Sequence, residues 1–490
     1  MTRPPKTATP LWTAAEAEAA TGGHSTAPWQ ASGVSIDTRS IKPGDLFIAI
    51  RGERYDAHDF LRDAFARGAA AAMVSRIPRD HGRTHPLLIV DDTYAGLRSL
   101  ARAARKRTGA RVIAITGSVG KTSTKEAMAA ALAPLGRVSA SKGNLNNRWG
   151  VPLSLARMPA DTDYGVFEVA MNHAGEITPL TRMVRPHIAI ITTVDAVHLE
   201  FFDSVEDIAL AKAEIFDGLD LSGIAVLNAD NPYFELLSAE ARSRGITTIF
   251  SFGENEGADV RLTGFQPNGH SRVSCEVLGE KIDFTLALPG RHSAQNAMAV
   301  LAAVRALGGD LAAAAAALGT METPEGRGAR AMIELPRGGT ATIIDDSYNA
   351  APTSMRAAFH VLEEATPGEG GRRIAVLGDM LELGPGSARA HEELAEDLLA
   401  AKVDLVLTTG ANMIHLDDTL PRSKRGGHTN EAAGLIPLLR RVLRPGDVVL
   451  VKASHNQNLG QVVDALLARG GGARSGGVRG RGARTVAKDG

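Results

Sequence analysis

The chain has a single cysteine, Cys275, among 490 residues. One thiol excludes an intramolecular disulfide framework and a cysteine-based zinc site, and it is typical of a reducing compartment. No apolar run approaches the roughly 18 residues of a membrane-spanning helix, and residues 1–10 lack a signal-peptide core. With a formal net charge of −1, the chain lacks the excess of basic residues that is typical of a general nucleic-acid binder. We therefore expect a soluble, cytoplasmic protein that binds neither membranes nor nucleic acid.

The composition is that of an ordinary globular protein, with 44% hydrophobic and 22% charged residues. A chain of this length predicts about three domains, each able to bury a core. Changes in composition place the boundaries after a basic stretch that ends near residue 108 and after a Pro/Gly/Arg-rich hinge near residue 328. We predict an N-terminal domain over 1–108, a central domain over 109–328, a C-terminal domain over 329–468 and a disordered Gly/Arg tail over 469–490.

The most informative segment runs from Val112 to Glu126. A β-branched apolar run is followed by a glycine loop and then by an alanine-rich helical pattern. Glycines let backbone N–H groups turn toward phosphate, and the helix dipole favours its negative charge. Ile115 stands where the strict Walker spacing has glycine, so this is a variant phosphate loop. The residues predicted to bind a nucleotide triphosphate are Gly117, Ser118, Val119, Gly120, Lys121 and Thr122, with the Thr122 hydroxyl placed to ligate Mg²⁺.

Strands alternate with helices through the central and C-terminal parts. This alternation predicts an α/β fold with a central, mainly parallel, doubly wound sheet of the P-loop type, flanked by two further α/β domains. Residues 259–288 are predicted as antiparallel strands at the sheet margin, and Phe60–Ala72 as a helix. The strands we predict are Val34–Arg39, Asp45–Ile50, Gly165–Glu168, Ile188–Thr192, Ala225–Asn228, Thr342–Asp345, Ile374–Leu377, Asp404–Leu407 and Val448–Val451.

One lysine occupies an apolar helix face. In the helical segment Ser204–Leu219, Lys212 lies near the centre of the apolar stripe, opposite the acidic side. A buried ammonium group must extend to solvent, pair with a carboxylate or change its chemistry. Glu168 ends an apolar strand, where open α/β sheets form their ligand crevice, and His198 follows another strand after a short loop. With Thr122, these two side chains predict a metal site beside the phosphate loop.

Several motifs together resemble the Mur ligases of peptidoglycan synthesis. The resemblance covers residues 30–465 and is closest to the branch that adds D-alanyl-D-alanine. The family motifs are Ala114–Thr122, Glu168–Ile177, His198–Glu200, Ala211–Phe216, Gly290–Ala297 and Asp345–Ala350. The stretches that indicate the branch are Ser35–Arg39, Gly52–Phe60, Asn172–Glu176, Asp346–Asn349 and Gly378–Gly384.

The resemblance implies specific roles for individual residues. The lysine that matches Lys212 is carbamylated by CO₂ in the family, which would give an anionic metal ligand. Metal ligands are then expected at Thr122, Glu168, His198 and Lys212, and catalytic roles at Lys121, Glu168, His198, Lys212 and Arg327. Asn296, Arg327 and Asp346 are expected to contact the nucleotide, and Arg330 competes with Arg327 for the phosphate role. Contacts to the UDP-linked substrate are expected from Ser35, Thr38, Arg39, Asn144, Asn147 and Asn349.

The implied reaction is an ATP-dependent ligation in an N-terminal UDP-binding, a central ATP-binding and a C-terminal Rossmann-like domain. ATP would activate the terminal carboxylate of UDP-N-acetylmuramoyl-tripeptide as an acyl phosphate, and the amine of D-alanyl-D-alanine would displace phosphate. The expected cofactors are ATP, Mg²⁺ and the carbamate on Lys212, and we expect a monomer. Three alternatives stay open: a related ligase for another amino acid or for folate, a P-loop ATPase or kinase, and a non-catalytic nucleotide sensor.

Overall fold

The structure is a computed structural model of the whole chain, and it describes residues 9–77, 85–197, 199–267, 271–336 and 338–468. Two predictions fall on residues outside these ranges, the metal ligand His198 and the tail over 469–490. Within the described ranges, the strands form a two-stranded ribbon and three larger sheets that follow one another along the chain.

The N-terminal part is built on a five-stranded sheet in the order β2-β7-β6-β5-β4, parallel except for the β2–β7 pair. The ribbon pairs β1 with β3. The elements are β1 (Trp12–Thr13), α1 (Ala14–Thr21), β2 (His24–Ser25), β3 (Gln30–Ala31), β4 (Gly33–Ser35), β5 (Asp45–Ile48), α2 (Leu61–Ala66), β6 (Ala71–Val74), β7 (Leu87–Ile89) and α3 (Thr93–Arg107).

The central part carries a nine-stranded sheet in the order β16-β15-β14-β13-β12-β11-β8-β10-β9. Its strands are β8 (Arg111–Thr116), β9 (Val138–Ala140), β10 (Tyr164–Glu168), β11 (Ile188–Ile191), β12 (Ile224–Asn228), β13 (Thr248–Gly253), β14 (Val260–Gln266), β15 (Ser271–Val277) and β16 (Glu280–Leu286). Its helices are α4 (Lys121–Leu132), α5 (Gly150–Ala156), α6 (Ile177–Val184), α7 (Val205–Ala213), α8 (Phe234–Ser243), α9 (Arg291–Ala306) and α10 (Leu311–Thr320).

The C-terminal part has a six-stranded sheet in the order β17-β18-β22-β19-β20-β21, parallel except for the β17–β18 pair. Its strands are β17 (Ala329–Glu334), β18 (Thr340–Asp346), β19 (Arg373–Gly378), β20 (Leu405–Thr409), β21 (Arg425–Thr429) and β22 (Val448–Lys452). Its helices are α11 (Pro352–Glu364), α12 (Ser387–Glu392), α13 (Leu394–Ala400), α14 (Met413–Thr419), α15 (Ala432–Val442) and α16 (Gly460–Leu467).

Alternation along the buried strands explains why helices cover both faces of the central sheet. In β8, Ile113 and Ile115 belong to one core, with α4, α9 and α10, whereas Val112 and Ala114 belong to the core on the other face, with α5 to α8. Successive side chains of a strand point to opposite faces, so an uninterrupted apolar run supplies two cores at once. The predicted α/β class with a doubly wound central sheet is therefore confirmed.

Three local predictions need correction. The strand predicted over Val34–Arg39 ends at Ser35, because the Asp37 side chain accepts from Arg39 N and begins a 3₁₀ turn over Thr38–Ser40. The helix predicted over Phe60–Ala72 ends at Ala66, because Gly68 adopts a φ of 91° and the chain then enters β6. The strands predicted as antiparallel over 259–288 are so for β15 and β16, but β14 also pairs in parallel with β13. The structure contains no helix, within the ranges it describes, that is both long and apolar enough to cross a membrane.

The N-terminal part is fixed to the central part through α5. The indole Nε1 of Trp12 donates to Ala156 O at 2.8 Å, and Arg157 Nε donates to Val34 O at 2.7 Å. Leu153 and Ala156 of α5 pack in the N-terminal core, while Val151 and Leu155 pack in the central core. One short helix thus belongs to both cores, and the segment that precedes it is held between them.

We expect Leu377→Ala to lower the free energy of unfolding by about 2–5 kcal/mol, because it leaves a cavity at the centre of the C-terminal sheet. Leu377 is fully buried in β19. Leu221→Ala is the matched control, since that leucine is 70% exposed. Urea unfolding followed by circular dichroism measures both variants, and equal midpoints would contradict the described core.

Candidate active site

A cleft of about 500 Å³ opens at the carboxyl ends of β8, β10 and β11 and extends beneath the C-terminal sheet. The strand order reverses at β8, which lies between β11 and β10, and open α/β sheets bind ligands at such a switch point. The central part contributes Lys121, Thr122 and Glu168 to its walls, and the C-terminal part contributes Asp346 and Lys452.

The phosphate loop has the backbone geometry that its glycines predict. Gly117 has a φ of 148°, and a Cβ there would lie 1.9 Å from Thr192 Oγ1. Gly120 has a φ of 83°, and a Cβ there would lie 2.8 Å from Asn296 Nδ2. Both φ values favour glycine, because a side chain would be strained in these conformations, and at Gly117 the neighbouring Thr192 also leaves no room for one. Asn296, which α9 carries, therefore lies directly against the loop, as nucleotide contact would require.

The side chain of Lys121 folds back on this loop. Its Nζ donates to Gly117 O at 2.6 Å and to Ser118 O at 3.0 Å. Burial lowers the pKa of Lys121, and the charge of Glu168 opposes this shift. The ammonium group thus lies at the mouth of the loop, where it can exchange carbonyl oxygens for phosphate oxygens.

The carboxylate of Glu168 is held from two sides. Thr122 Oγ1 donates to Glu168 Oε2 at 2.7 Å, and Asn146 Nδ2 donates to Glu168 Oε1 at 2.7 Å. Glu168 is 1% exposed, and its position at the end of β10 directs the carboxylate into the cleft. A buried carboxylate with both oxygens bound has one fixed orientation.

Arg327 reaches the phosphate loop from the segment that leads into the C-terminal sheet. Its Nη2 donates to Thr122 Oγ1 at 2.9 Å, and its guanidinium group lies 4.3 Å from the ring centroid of Tyr348. Arg330 lies instead on β17, where burial lowers its pKa. Of the two arginines that the sequence left open, the structure brings Arg327 to the loop.

An ion pair closes the far wall of the cleft. Lys452 Nζ donates to Asp346 Oδ2 at 2.7 Å and to Asn349 O at 2.9 Å. Burial raises the pKa of Asp346, and Lys452 opposes that shift. Both residues end adjacent parallel strands, β18 and β22, which explains their proximity.

Lys212 is buried on α7, as the apolar stripe predicts, with 2% of its surface exposed. Its Nζ has no hydrogen-bond or ion-pair partner among the described residues. Burial lowers the pKa of Lys212 well below the ordinary 10.5, and repulsion by Lys121 adds to the shift. Burial thus disfavours the charged ammonium form, and no carboxylate among the described residues pairs with this side chain.

The oxygen donors beside the phosphate loop fit a hard divalent cation. Thr122 and Glu168 face each other, and the guanidinium group of Arg327 already contacts the threonine hydroxyl, so the site accepts positive charge. Over the ranges that the structure describes, no group of three His, Cys, Asp or Glu side chains is close enough to form a complete metal site. Among the described residues, the Thr122 hydroxyl and the Glu168 carboxylate are the oxygen groups placed beside the loop to hold a cation.

The remaining predicted residues fall into three groups. Asn144 and Asn349 line the cleft, as do Ser118 and Val119 of the loop. Asn147 lies just before α5, and its Oδ1 accepts from Trp149 N and Gly150 N. In the third set, Ser35 ends β4 and Thr38 and Arg39 lie in the 3₁₀ turn that follows, where Arg39 pairs with Asp37 at 2.7 Å.

Sequence reasoning did not select two side chains that line the cleft, Asn146 and Lys452. Asn146 stands in the asparagine-rich turn, but sequence alone gave no reason to prefer it over Asn144 and Asn147. No prediction was made for Lys452. Lys452 follows an apolar strand, and this is the same sequence signal that identified Glu168 as a candidate site residue.

The comparisons with known proteins cover most of the chain. Residues 30–102 match the Mur ligase family catalytic domain, residues 115–304 the Mur ligase middle domain, and residues 332–455 the Mur ligase glutamate ligase domain. The chain is 38% identical over 441 residues to the UDP-N-acetylmuramoyl-tripeptide–D-alanyl-D-alanine ligase of Escherichia coli (strain K12), which covers 89% of this chain and 94% of that one.

Two solved structures are similar over the same length. A crystal structure of MurF from Acinetobacter baumannii has a TM-score of 0.80 at 30% identity, with 94% of this chain and 99% of that one covered. MurF ligase from Thermotoga maritima, in complex with ADP, has a TM-score of 0.73 at 28% identity, with 89% and 96% covered.

We expect Lys121→Met to weaken ADP binding by about 10- to 100-fold, because it removes a charged donor worth about 1.5–3 kcal/mol. Lys281→Met is the control, since that lysine is exposed on β16. Isothermal titration with ADP and Mg²⁺ measures both. An unchanged affinity in the Lys121 variant would contradict the assignment of the loop.

Proposed function

The chain belongs to the Mur ligase family, and we propose that it joins D-alanyl-D-alanine to UDP-N-acetylmuramoyl-tripeptide with conversion of ATP to ADP and phosphate. The resemblance seen in the sequence is thereby confirmed. The observation that carries the proposal is the shared cleft, in which the phosphate loop and Glu168 face Arg327, Asp346 and Lys452. Such a cleft can hold a nucleotide on one side and an acceptor on the other.

The first step brings two anions together. An oxygen of the tripeptide's terminal carboxylate attacks the γ-phosphorus of ATP, an O–P bond forms, and ADP leaves with the electrons of the broken bond. Lys121 and Arg327 lie where their charges would reduce the repulsion between carboxylate and phosphate. Catalysis of such a step consists mainly of positioning and charge neutralisation.

The second step forms the amide. The amine of D-alanyl-D-alanine attacks the acyl carbon, and phosphate leaves from the tetrahedral intermediate, while the nitrogen loses a proton. The acyl phosphate would hydrolyse in open solvent, so water must be excluded. The C-terminal part already contacts the loop through Arg327, and further closure would bring Asp346 and Asn349 over the bound substrates.

Mg²⁺ would be held at Thr122 and Glu168, and we propose His198 and Lys212 as further ligands. The cation would neutralise phosphate charge in the transition state. In this arrangement Arg327 must release the Thr122 hydroxyl, which suits an arginine that then binds phosphate.

The burial of Lys212 supports its carbamylation. The lone pair of the neutral amine attacks the carbon of CO₂, an N–C bond forms, and the nitrogen gives up one proton. The product is an anion, which can ligate a cation, whereas the ammonium form cannot. A side chain that is buried and has no partner in the described structure would thus gain one.

The other assignments remain proposals of the same kind. We propose that the N-terminal domain over 1–108 holds the UDP end through Ser35, Thr38 and Arg39, with Asn144 and Asn147 facing the same substrate. The central domain over 109–328 would bind ATP, and the C-terminal domain over 329–468 would close on it. We propose that the protein acts as a monomer in the cytoplasm, the reducing compartment expected from its single cysteine.

Incubation with ATP, Mg²⁺, UDP-N-acetylmuramoyl-tripeptide and D-alanyl-D-alanine tests the proposal, with mass spectrometry of the product. We expect the UDP-linked pentapeptide, and sustained ADP release that requires both organic substrates when no other nucleophile is present. Hydroxylamine should trap the acyl phosphate when the dipeptide is omitted. Product with single amino acids but not with the dipeptide would identify a different ligase, and ADP release without either substrate would identify an ATPase.

We expect Lys212→Ala to lower kcat by about 10- to 100-fold or more, with partial recovery on addition of acetate, because a small carboxylate can replace the carbamate. Wild-type protein given ¹³C-labelled CO₂ should show a carbamate carbon signal that the variant lacks. Lys106→Ala, at an exposed position on α3, is the control. Undiminished activity of Lys212→Ala would refute the role.

A further inference from the structure

One buried charge in the central part has no place in the reaction described above. Lys125 lies one helical turn after Lys121 on α4 and is fully buried. Burying an ammonium group is costly unless all of its protons are bound. The Nζ of Lys125 has three acceptors: Ser141 O at 2.6 Å, Gly143 O at 3.2 Å and Glu126 Oε1 at 2.6 Å. Its hydrogen-bonding capacity is therefore complete.

Two of these acceptors belong to the strand end and turn that carry the contacts of Glu168. Ser141 accepts the backbone N–H of Glu168 on its Oγ at 3.0 Å. Beyond Gly143, Asn146 donates to Glu168 Oε1 at 2.7 Å and accepts on its backbone oxygen from Ala170 N at 2.9 Å. Residues 141–146 thus contact the backbone and the carboxylate of Glu168, and also the backbone of Ala170, two residues later.

The helix that carries Lys125 also carries the other side of the metal site. Thr122 precedes Lys125 by three residues on α4 and donates to Glu168 Oε2. In contrast, Ser141 and Gly143 belong to a different segment, the one between β9 and α5. The ammonium group of Lys125 is a direct bond between these two pieces of backbone. It directly links the segment that orients Glu168 to the helix that presents Thr122.

We propose that Lys125 is a positioning residue for the divalent cation. It ties residues 141–143 to the phosphate-loop helix and so sets the spacing of Thr122 and Glu168. Lys125 has no contact with the cleft that would let it act on substrate directly, because its three protons are bound to protein. The inference rests on the proposed function only in assigning Mg²⁺ to Thr122 and Glu168.

The test compares Lys125→Met, which keeps the stem and removes the three donors, with Lys125→Arg, which restores a buried cation. Isothermal titration measures ADP binding first in EDTA and then with increasing Mg²⁺. We expect Lys125→Met to bind ADP without metal within about twofold of the wild type. Its Mg²⁺ requirement should rise by about 10- to 100-fold, as is usual when a group that orients a metal ligand is lost. Lys125→Arg should recover at least part of the difference.

Ligation kinetics supply a second readout. At saturating Mg²⁺ we expect Lys125→Met to lower kcat, with the KM for the UDP-linked substrate nearly unchanged. A general loss of packing would instead weaken ADP binding in EDTA and the KM together. Lys142→Met is the matched control, since this neighbouring lysine is exposed, and it should match the wild type in every measurement.

Ser141→Ala keeps the test decisive if Lys125→Met does not fold. It removes the hydroxyl that accepts the Glu168 N–H without exposing a buried charge, and it should raise the Mg²⁺ requirement in the same direction, by less. A folded Lys125→Met protein with wild-type Mg²⁺ dependence would overturn the proposal, as would a wild-type Mg²⁺ dependence in Ser141→Ala. If the wild type makes no pentapeptide, the proposed function fails. The titrations still test the role of Lys125 in that case, provided that ADP binding by the wild type depends on Mg²⁺.

Discussion

The hydrogen bonds around the Glu168 carboxylate connect the parts of this molecule. One oxygen accepts from Thr122, at the start of the phosphate-loop helix, and the other accepts from Asn146, in the turn that leads into α5. Because α5 packs in both the N-terminal and the central cores, the turn cannot move without disturbing one of them. A buried carboxylate needs such support, since an unsatisfied charge in this position would cost several kcal/mol.

Three cationic side chains of the cleft form hydrogen bonds with other protein atoms in this structure. Lys121 is bonded to carbonyl oxygens of its own loop, Arg327 to Thr122, and Lys452 to Asp346. Charged hydrogen bonds of this kind contribute about 1.5–3 kcal/mol each, so the cleft is ordered before any ligand arrives. Binding then exchanges one set of acceptors for another, and the phosphate groups of a nucleotide are the acceptors whose charge favours that exchange.

The interdomain contact of Arg327 has a further consequence. The residue belongs to the segment that leads from the central to the C-terminal sheet, and Tyr348, after β18, packs against its guanidinium group. A change in the partner of Arg327 would therefore alter the contacts of both the connecting segment and Tyr348. This gives a physical route by which an occupied phosphate loop alters the position of the C-terminal part.

Much of the fold was predictable because its strands are buried on both faces. The predicted strands at Ile374–Leu377 and Val448–Val451 lie in β19 and β22, as their continuous apolar runs required. Strand β21 has the sequence Arg-Gly-Gly-His-Thr and was missed, because an edge strand with no apolar residue leaves no pattern. The helix predicted after Phe60 was too long, because its apolar spacing continued into the residues of β6.

The sequence alone determined the phosphate loop, the strand-end position of Glu168 and the burial of Lys212, since each depends on local periodicity and on residue type. Only the tertiary structure decided between Arg327 and Arg330, selected Asn146 from three neighbouring asparagines, and gave Lys452 its partner Asp346. Those choices depend on which strand ends and turns become neighbours. Strand order and the packing of α5 set that proximity. Both arise from contacts between residues far apart in the chain, and local sequence patterns carry no information about such contacts.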